Sequence, residues 1–251
     1  MNYQNKTIVI TGGAKGIGAA TAQVFLEAGA KVIVLDITAD TLVTNKASRH
    51  FIYCDVSSET QVQKAFEDIS KQFGTIDFLV NNAGIQRYGT VTETTADEWD
   101  LVMNVNLKSY FLCSKYALPL IQRKGSGAII NVASVQAFLS QQNVAAYTTA
   151  KSAILGLTRS IAIDYAPNIR CVAVCPGTID TPMLRDSIAL SPDPGEVMQE
   201  CIDMHLTKRI GTPEEVAGLI FYLCDDKAAF ITGQAIRIDG GLGITIQGSK
   251  R

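Results

Sequence analysis

Short apolar runs alternate with longer amphipathic segments along the whole chain. Five of these runs are predicted to be buried strands, because they are dominated by aliphatic and β-branched residues. They are Thr7–Thr11, Lys31–Leu35, Phe78–Val80, Ala128–Val132 and Arg170–Val174. Strands that alternate with helical segments predict an α/β fold, a doubly wound parallel sheet with helices on both faces.

All 251 residues are expected to form a single domain, a length that is ample to bury one large core. No linker, repeat or low-complexity run interrupts the pattern. The cluster Ser191–Gly195, which holds two prolines and a glycine, indicates a loop and not a boundary. We therefore predict one domain over residues 1–251, with a long loop around residues 182–210.

Three glycines follow the first strand, in the spacing Gly-x-x-x-Gly-x-Gly. They are Gly12, Gly16 and Gly18, and the helical segment Ala19–Leu26 comes directly after them. Glycines permit a tight turn and a close backbone approach to a pyrophosphate, and the helix N-terminus favours its negative charge. The order of strand, glycine turn and helix predicts a Rossmann-type dinucleotide site, although a plain strand-to-helix turn is the alternative.

Asp36 ends the second strand, and it bears on the choice of dinucleotide. An acidic residue there can accept hydrogen bonds from the adenosine ribose hydroxyls and would repel a 2′-phosphate. Neither Ile37 nor Thr38 is basic, so the sequence favours NAD over NADP. Lys15, inside the glycine turn, could meet a 2′-phosphate, but a solvated surface lysine is the simpler interpretation.

A serine, a tyrosine and a lysine form the candidate catalytic group. Tyr147 and Lys151 are four residues apart and share one face of a helix, while Ser134 lies thirteen residues before Tyr147. A nearby cation is expected to lower the pKa of the phenol, which could then exchange a proton with an alcohol or a carbonyl. The serine hydroxyl could hold the same substrate oxygen. Taken alone, the pair could also be a lysine beside a surface tyrosine.

With these motifs in family order, the chain resembles the short-chain dehydrogenase/reductase family over nearly all of its length. Further matches are Cys54-Asp55-Val56, Asn81-Asn82-Ala83-Gly84, Asn106 and Cys175-Pro176-Gly177-Thr178-Ile179-Asp180-Thr181. Two departures are a short stretch from Asp36 to Asp55, which predicts a reduced helix there, and Ala133, where many members carry a second serine.

The resemblance implies the roles of individual residues. The catalytic residues are Asn106, Ser134, Tyr147 and Lys151, of which Asn106 holds a water that links the lysine to solvent. The residues implied to bind the cofactor are Gly12, Lys15, Gly16, Ile17, Gly18, Asp36, Asp55, Val56, Asn82, Ala83, Gly84, Tyr147, Lys151, Pro176, Gly177, Ile179 and Thr181. The implied reaction moves a hydride between a CH–OH group and NAD, without a metal.

Composition excludes several other classes of protein. A formal net charge of −2 gives no support to nucleic-acid binding. No apolar run approaches the roughly 18–20 residues of a membrane span, and the first strand follows the N-terminus too closely for a signal peptide. The six cysteines have no metal spacing, which favours reduced thiols in a cytoplasmic enzyme. His50 and His205 are expected at the surface or in loops and not as ligands.

The substrate is predicted from polar residues that follow the motifs. Gln86, Gln136 and Gln142 are candidate contacts, together with the segment 182–210 as a substrate loop. Amides suit a polyhydroxylated substrate, because a desolvated hydroxyl needs a partner; the alternative is that these amides face solvent on a mobile loop. The chain also resembles the aldose (sugar) dehydrogenase branch of the family, notably in Ser134-Val135-Gln136-Ala137 and Cys175-Pro176-Gly177-Thr178-Ile179-Asp180-Thr181-Pro182. An NADPH-dependent reductase of 3-oxoacyl thioesters or another hydrophobic ketone is one alternative, and a non-catalytic dinucleotide sensor is another.

Surplus apolar surface predicts an oligomer. The helix that holds Tyr147, the segment Leu107–Ile121 and the C-terminal run Gly240–Ile246 carry more apolar residues than one core-facing stripe needs. A symmetric contact between subunits would bury the surplus, and family members that look like this are commonly tetramers. A homotetramer is therefore expected.

Overall fold

A computed structural model describes residues 1–38 and 48–244 of the chain. The reduced helix that the sequence predicts after the second strand falls largely on residues 39–47, outside the described part. None of the helices in residues 1–38 and 48–244 is both long and apolar enough to cross a membrane.

Seven parallel strands form one sheet in the order β3-β2-β1-β4-β5-β6-β7. The strands are β1 (Thr7–Thr11), β2 (Lys31–Asp36), β3 (Arg49–Tyr53), β4 (Phe78–Asn81), β5 (Gly127–Val132), β6 (Ile169–Pro176) and β7 (Ala235–Ile238). The five strands predicted from the sequence are present, each within three residues of its predicted ends. The two edge strands, β3 and β7, were not predicted, because their half-exposed residues give no strong apolar run.

Eight α-helices are found in the part of the chain that the structure describes. They are α1 (Gly16–Glu27), α2 (Glu59–Phe73), α3 (Ala96–Met103), α4 (Ser109–Lys124), α5 (Ala145–Tyr165), α6 (Pro182–Ile188), α7 (Pro194–Asp203) and α8 (Pro213–Cys224). The segment 182–210, predicted as a loop, therefore contains two helices. Each begins at a proline whose preceding residue caps the helix with its side chain, a strong local start signal.

Alternate residues of each strand pack into separate cores on the two faces of the sheet. On β1, Val9 packs in one core with helices α2, α4 and α5, while Ile8 and Ile10 pack in the other with α1 and α8. Because both faces are covered, the five strands between the two edge strands are rich in apolar residues. This confirms the predicted doubly wound α/β fold.

The strand order reverses between β1 and β4, which are neighbours in the sheet. In an open parallel sheet, the loops leave such adjacent strands in opposite directions and form a crevice at their carboxyl ends. The ends of β1, β2 and β4 bring Thr11, Asp36 and Asn81 to this edge. The crevice is the place where a ligand is expected to bind.

Candidate active site

The glycine turn is built against the loop that follows β4. The side-chain amide of Asn82 donates to the carbonyl oxygens of Thr11 and Gly12, at 3.1 and 2.9 Å. In return, the Thr11 hydroxyl accepts from the backbone N–H groups of Asn82 and Ala83. These four bonds fasten the two loops that face the crevice.

Close packing explains why the turn needs glycine. Gly12 has a φ of +63°, and a Cβ there would lie 2.8 Å from the Cα atom of Ala83. A Cβ on Gly18 would lie 2.2 Å from the Gly12 carbonyl oxygen. The glycines thus let the turn pack closely against the loop after β4 at the start of α1, where Ile17 packs towards the core.

Asp36 lies beside the same turn. One of its carboxylate oxygens accepts from the Ala14 N–H at 3.0 Å, and the other accepts from the Thr38 N–H at 2.9 Å. The bonds orient the carboxylate at the carboxyl end of β2, and each oxygen keeps a lone pair for a ribose hydroxyl. Lys15 is exposed at the N-terminus of α1, with no side-chain cap to the helix.

The predicted adenine contacts follow β3. Asp55 accepts through one oxygen from both the N–H and the hydroxyl of Ser57, at 2.9 and 2.7 Å. Val56 is buried next to it and packs in the core shared with α2. The pair therefore lies in a rigid turn at the same edge of the sheet as Asp36.

The opposite wall of the crevice is the segment after β6. Pro176 ends that strand, Gly177 packs against Asp239, and Ile179 is buried. Thr181 caps α6 by accepting from the Leu184 N–H at 3.3 Å, which leaves its hydroxyl hydrogen free to donate.

The two walls come together where Gly16 faces Thr181. A Cβ on Gly16 would lie 3.3 Å from the Thr181 methyl carbon. A glycine cradle, a ribose-facing carboxylate and a free hydroxyl donor are the groups that a nicotinamide dinucleotide needs. The residues present therefore fit this cofactor.

The three predicted catalytic side chains meet at the carboxyl end of β5. Tyr147 and Lys151 lie on adjacent turns of α5, and the Lys151 Nζ is 5.7 Å from the centre of the Tyr147 ring. Ser134 follows β5, and its hydroxyl lies close enough to the Tyr147 side chain to lower the pKa of the phenol. All three residues are buried, so the surface lysine–tyrosine alternative is wrong.

The pKa of Tyr147 differs from the low value that the sequence predicts. Burial raises the pKa of Tyr147 to about 12, and the Ser134 hydroxyl offsets only part of this rise. Burial also lowers the pKa of Lys151 to about 8. In the protein alone the pKa of Tyr147 is therefore raised and not lowered, because desolvation is the largest effect on the phenol.

Asn106 lies in a single π-helical turn, Asn104–Lys108, between α3 and α4. Its amide donates to the Ile85 carbonyl oxygen and accepts from the Ile85 N–H, both at 2.8 Å. A Cβ on Gly84 would lie 3.4 Å from the Asn106 Oδ1 and 3.7 Å from the Lys151 Nζ. Gly84 thus stands between the asparagine and the lysine, which brings Asn106 to the catalytic cluster.

The three predicted substrate residues differ in how far they are buried. Gln86 and Gln136 are half-buried, and Thr148 donates to the Gln136 side chain at 3.5 Å. Gln142 is exposed in the turn before α5. The structure thus brings Gln136 within one short turn of Ser134 and leaves Gln142 at the surface.

Tyr88, in the loop after β4, comes close to the catalytic group and is not among the predicted site residues. Its hydroxyl is hydrogen-bonded to the Ser187 hydroxyl of α6, and Tyr88 raises the pKa of Tyr147. No local pattern predicts this contact, because the two residues lie 99 positions apart in the chain.

His205 was expected at the surface or in a loop; it lies in the bend that follows α7, but it is almost fully buried. Its Nε2 accepts from the Thr178 N–H at 3.2 Å, and its Nδ1 bonds to the Cys201 carbonyl oxygen at 2.6 Å. The ring therefore links the loop after β6 to the end of α7 by hydrogen bonds. Only tertiary packing brings this histidine, 27 residues from Thr178, beneath the loop.

In comparisons with known proteins, the chain matches reductases, dehydrogenases and oxidoreductases. A family profile described as enoyl-(acyl carrier protein) reductase matches residues 12–243. An uncharacterized oxidoreductase of Thermotoga maritima is 40% identical, over 96% of this chain and 98% of the relative. Dehydrogenase/reductase SDR family member 6 of Aquarana catesbeiana is also 40% identical, over 94% of this chain and 96% of the relative.

Two solved structures share the fold over almost its whole length. The ligand-free aldohexose dehydrogenase of Thermoplasma acidophilum is 41% identical, with a TM-score of 0.93, and the match covers 99% of this chain and 98% of that one. Levodione reductase is 33% identical, with a TM-score of 0.92, and the match covers 98% of this chain and 100% of that one.

Proposed function

Because the chain belongs to the short-chain dehydrogenase/reductase family, we propose that it is an NAD-dependent dehydrogenase of a secondary alcohol or a sugar hydroxyl. The observation that carries the proposal is the buried cluster of Ser134, Tyr147 and Lys151 beside a glycine turn and Asp36. A protein that had become a non-catalytic sensor would have no need to keep this cluster desolvated and aligned.

In the proposed mechanism, Tyr147 takes the proton from the substrate hydroxyl. When bound, the oxidised cofactor supplies the hydride acceptor and a positive charge close to the phenol. Lys151 favours the phenolate form of Tyr147, and the Ser134 hydroxyl holds the reacting oxygen. Asn106, fixed by its two bonds to Ile85, holds the water that links Lys151 to solvent.

The preference for NAD rests on Asp36. At the carboxyl end of β2, its carboxylate would bind the adenosine ribose hydroxyls and repel a 2′-phosphate. Lys15 is exposed in the glycine turn, and it is the residue that would have to outweigh Asp36 for NADP to be preferred.

The proposed substrate is a polyhydroxylated molecule such as an aldose. Gln136 beside Ser134 and the hydroxyls of Tyr88 and Ser187 give the cleft polar groups that a sugar can satisfy. The similarity to an aldohexose dehydrogenase supports the same class.

A hydrophobic ketone reductase remains the second candidate function. The side chains of Met183, on α6, and Leu190, just after it, are exposed, and α6 begins next to Thr181. The family profile described as enoyl-(acyl carrier protein) reductase and the similarity to levodione reductase support this alternative.

We also propose a homotetramer. Phe111 on α4 and Ile163 on α5 expose 50% and 78% of their surfaces, and Phe230 is fully exposed. Symmetric contacts between subunits would bury these side chains. In the C-terminal run, residues 245 and 246 lie outside the described part. All six cysteines are free, which suits a reducing compartment such as the cytoplasm.

A substrate screen tests the function directly. Reduction of NAD+ and NADP+ is measured with a panel of aldoses and polyols, and oxidation of NADH and NADPH with 3-oxoacyl thioesters and cyclic diketones. We expect the highest kcat/KM for an aldose with NAD+. A higher kcat/KM for a hydrophobic ketone with NADPH would establish the alternative, and no turnover in any pair would favour the sensor.

A further inference from the structure

The Lys151 ammonium lies between two phenol rings. Its Nζ is 5.4 Å from the centre of the Tyr110 ring and 5.7 Å from that of Tyr147. It donates to the Val132 carbonyl oxygen at 2.9 Å and to the Tyr110 hydroxyl at 3.4 Å. The Tyr110 hydroxyl donates to the same carbonyl oxygen at 2.8 Å, which closes a triangle of hydrogen bonds behind the catalytic cluster.

Among residues 1–38 and 48–244, no carboxylate forms an ion pair with this ammonium, and only 4% of the Lys151 surface is exposed. A buried cation of this kind must be stabilised by carbonyl and hydroxyl oxygens and by ring faces. Tyr110 supplies both a hydroxyl oxygen and a ring face, and it is fully buried in α4.

We propose that Tyr110 is a positioning residue of the reaction, which holds the Lys151 ammonium in place and in its charged form beside Tyr147. The inference rests on the proposed function, because the cation matters only if Tyr147 exchanges a proton with the substrate. Tyr110 acts through Lys151, since its own hydroxyl is occupied by the Val132 carbonyl oxygen.

The remaining groups around the pair act on the same equilibrium. On β6, the Cys175 thiol raises the pKa of Lys151, while burial raises the pKa of the thiol itself to about 11. Tyr88 raises the pKa of Tyr147, and the Ser134 hydroxyl lowers it. Burial raises the pKa of Tyr110 well above its ordinary value, so the hydroxyl stays protonated.

The test is Tyr110→Phe, which keeps the ring and removes the hydroxyl. Loss of an acceptor destabilises the ammonium, so Tyr147 should ionise at higher pH. We expect the rise of kcat/KM for alcohol oxidation to occur at higher pH. The value of kcat/KM should fall about three- to tenfold at pH 7 and stay near wild type at high pH, because one pKa unit changes the fraction of phenolate about tenfold. Tyr116→Phe is the matched control, because its hydroxyl lies on the same helix but donates to Glu59.

A second measurement needs no turnover. The tyrosinate absorbance of the NAD+-bound protein is titrated with and without Tyr147→Phe, and the difference reports Tyr147 alone. Both Tyr110→Phe and Tyr110→Met, which has no hydroxyl either, should move this titration to higher pH. A titration that stays in place or moves to lower pH would overturn the proposal, as would a loss of rate that is uniform across pH. If the wild type oxidised no alcohol, the proposed function would fail, while this titration would still decide the role of Tyr110.

Discussion

Replacing Tyr147 with phenylalanine tests the central proton transfer. The change removes one buried hydroxyl beside Ser134 and keeps the ring in its packed position. General acid–base catalysis contributes about 10²–10⁴-fold, and a phenyl ring has no proton to exchange with the substrate. We therefore expect kcat to fall by about 10³ or more, which corresponds to about 4 kcal/mol of barrier.

The stability of the same variant should change far less. Loss of the hydrogen bonding of one buried hydroxyl lowers the free energy of unfolding by about 1 kcal/mol, which for a chain of this size lowers Tm by about 2–4 °C. NADH binding should stay nearly intact, because phenylalanine preserves the shape of the site. The assay is steady-state NAD+ reduction, with thermal melting and NADH fluorescence titration on the same protein.

The control for this prediction is Tyr116→Phe, a half-buried tyrosine on α4 whose hydroxyl bonds to Glu59 and Gln63. It should keep wild-type kcat. If Tyr147→Phe retained more than about a tenth of the wild-type kcat, the hydroxyl could not be the general base, and the mechanism would be wrong.

Three further predictions follow from the site and the surface. Asp36→Ala should lower the ratio of kcat/KM with NAD+ to kcat/KM with NADP+, because the carboxylate no longer binds ribose hydroxyls or repels a 2′-phosphate. A wild-type protein that prefers NADP+ would contradict the role of Asp36. Because burial raises the pKa of Tyr147 to about 12, kcat/KM for oxidation should rise with pH, and a fall between pH 6 and 9 would exclude a phenolate base. Sedimentation at micromolar concentration should show about four times the 27.0 kDa chain mass, and a single species of one chain mass would rule out the tetramer.

Local patterns were enough to predict most of the sheet and the cofactor turn. The central strands are continuous apolar runs because both faces of the sheet are covered, and this composition is visible in the sequence. The edge strands Arg49–Tyr53 and Ala235–Ile238 lack it, since they are partly exposed. The two helices in segment 182–210 were missed although Pro182 and Pro194 stand at their first turns.

The sequence by itself determined the strand–turn–helix order, the Gly-x-x-x-Gly-x-Gly turn and the shared helix face of Tyr147 and Lys151, because each depends on neighbours within a few residues. Only the tertiary structure decided the proton equilibria of the site. Desolvation raises the pKa of Tyr147, and a second phenol, Tyr110, meets Lys151 from another helix. The tertiary structure also places His205 against the loop after β6. These features arise from burial and from contacts between elements that are far apart in the chain, and no local spacing encodes them.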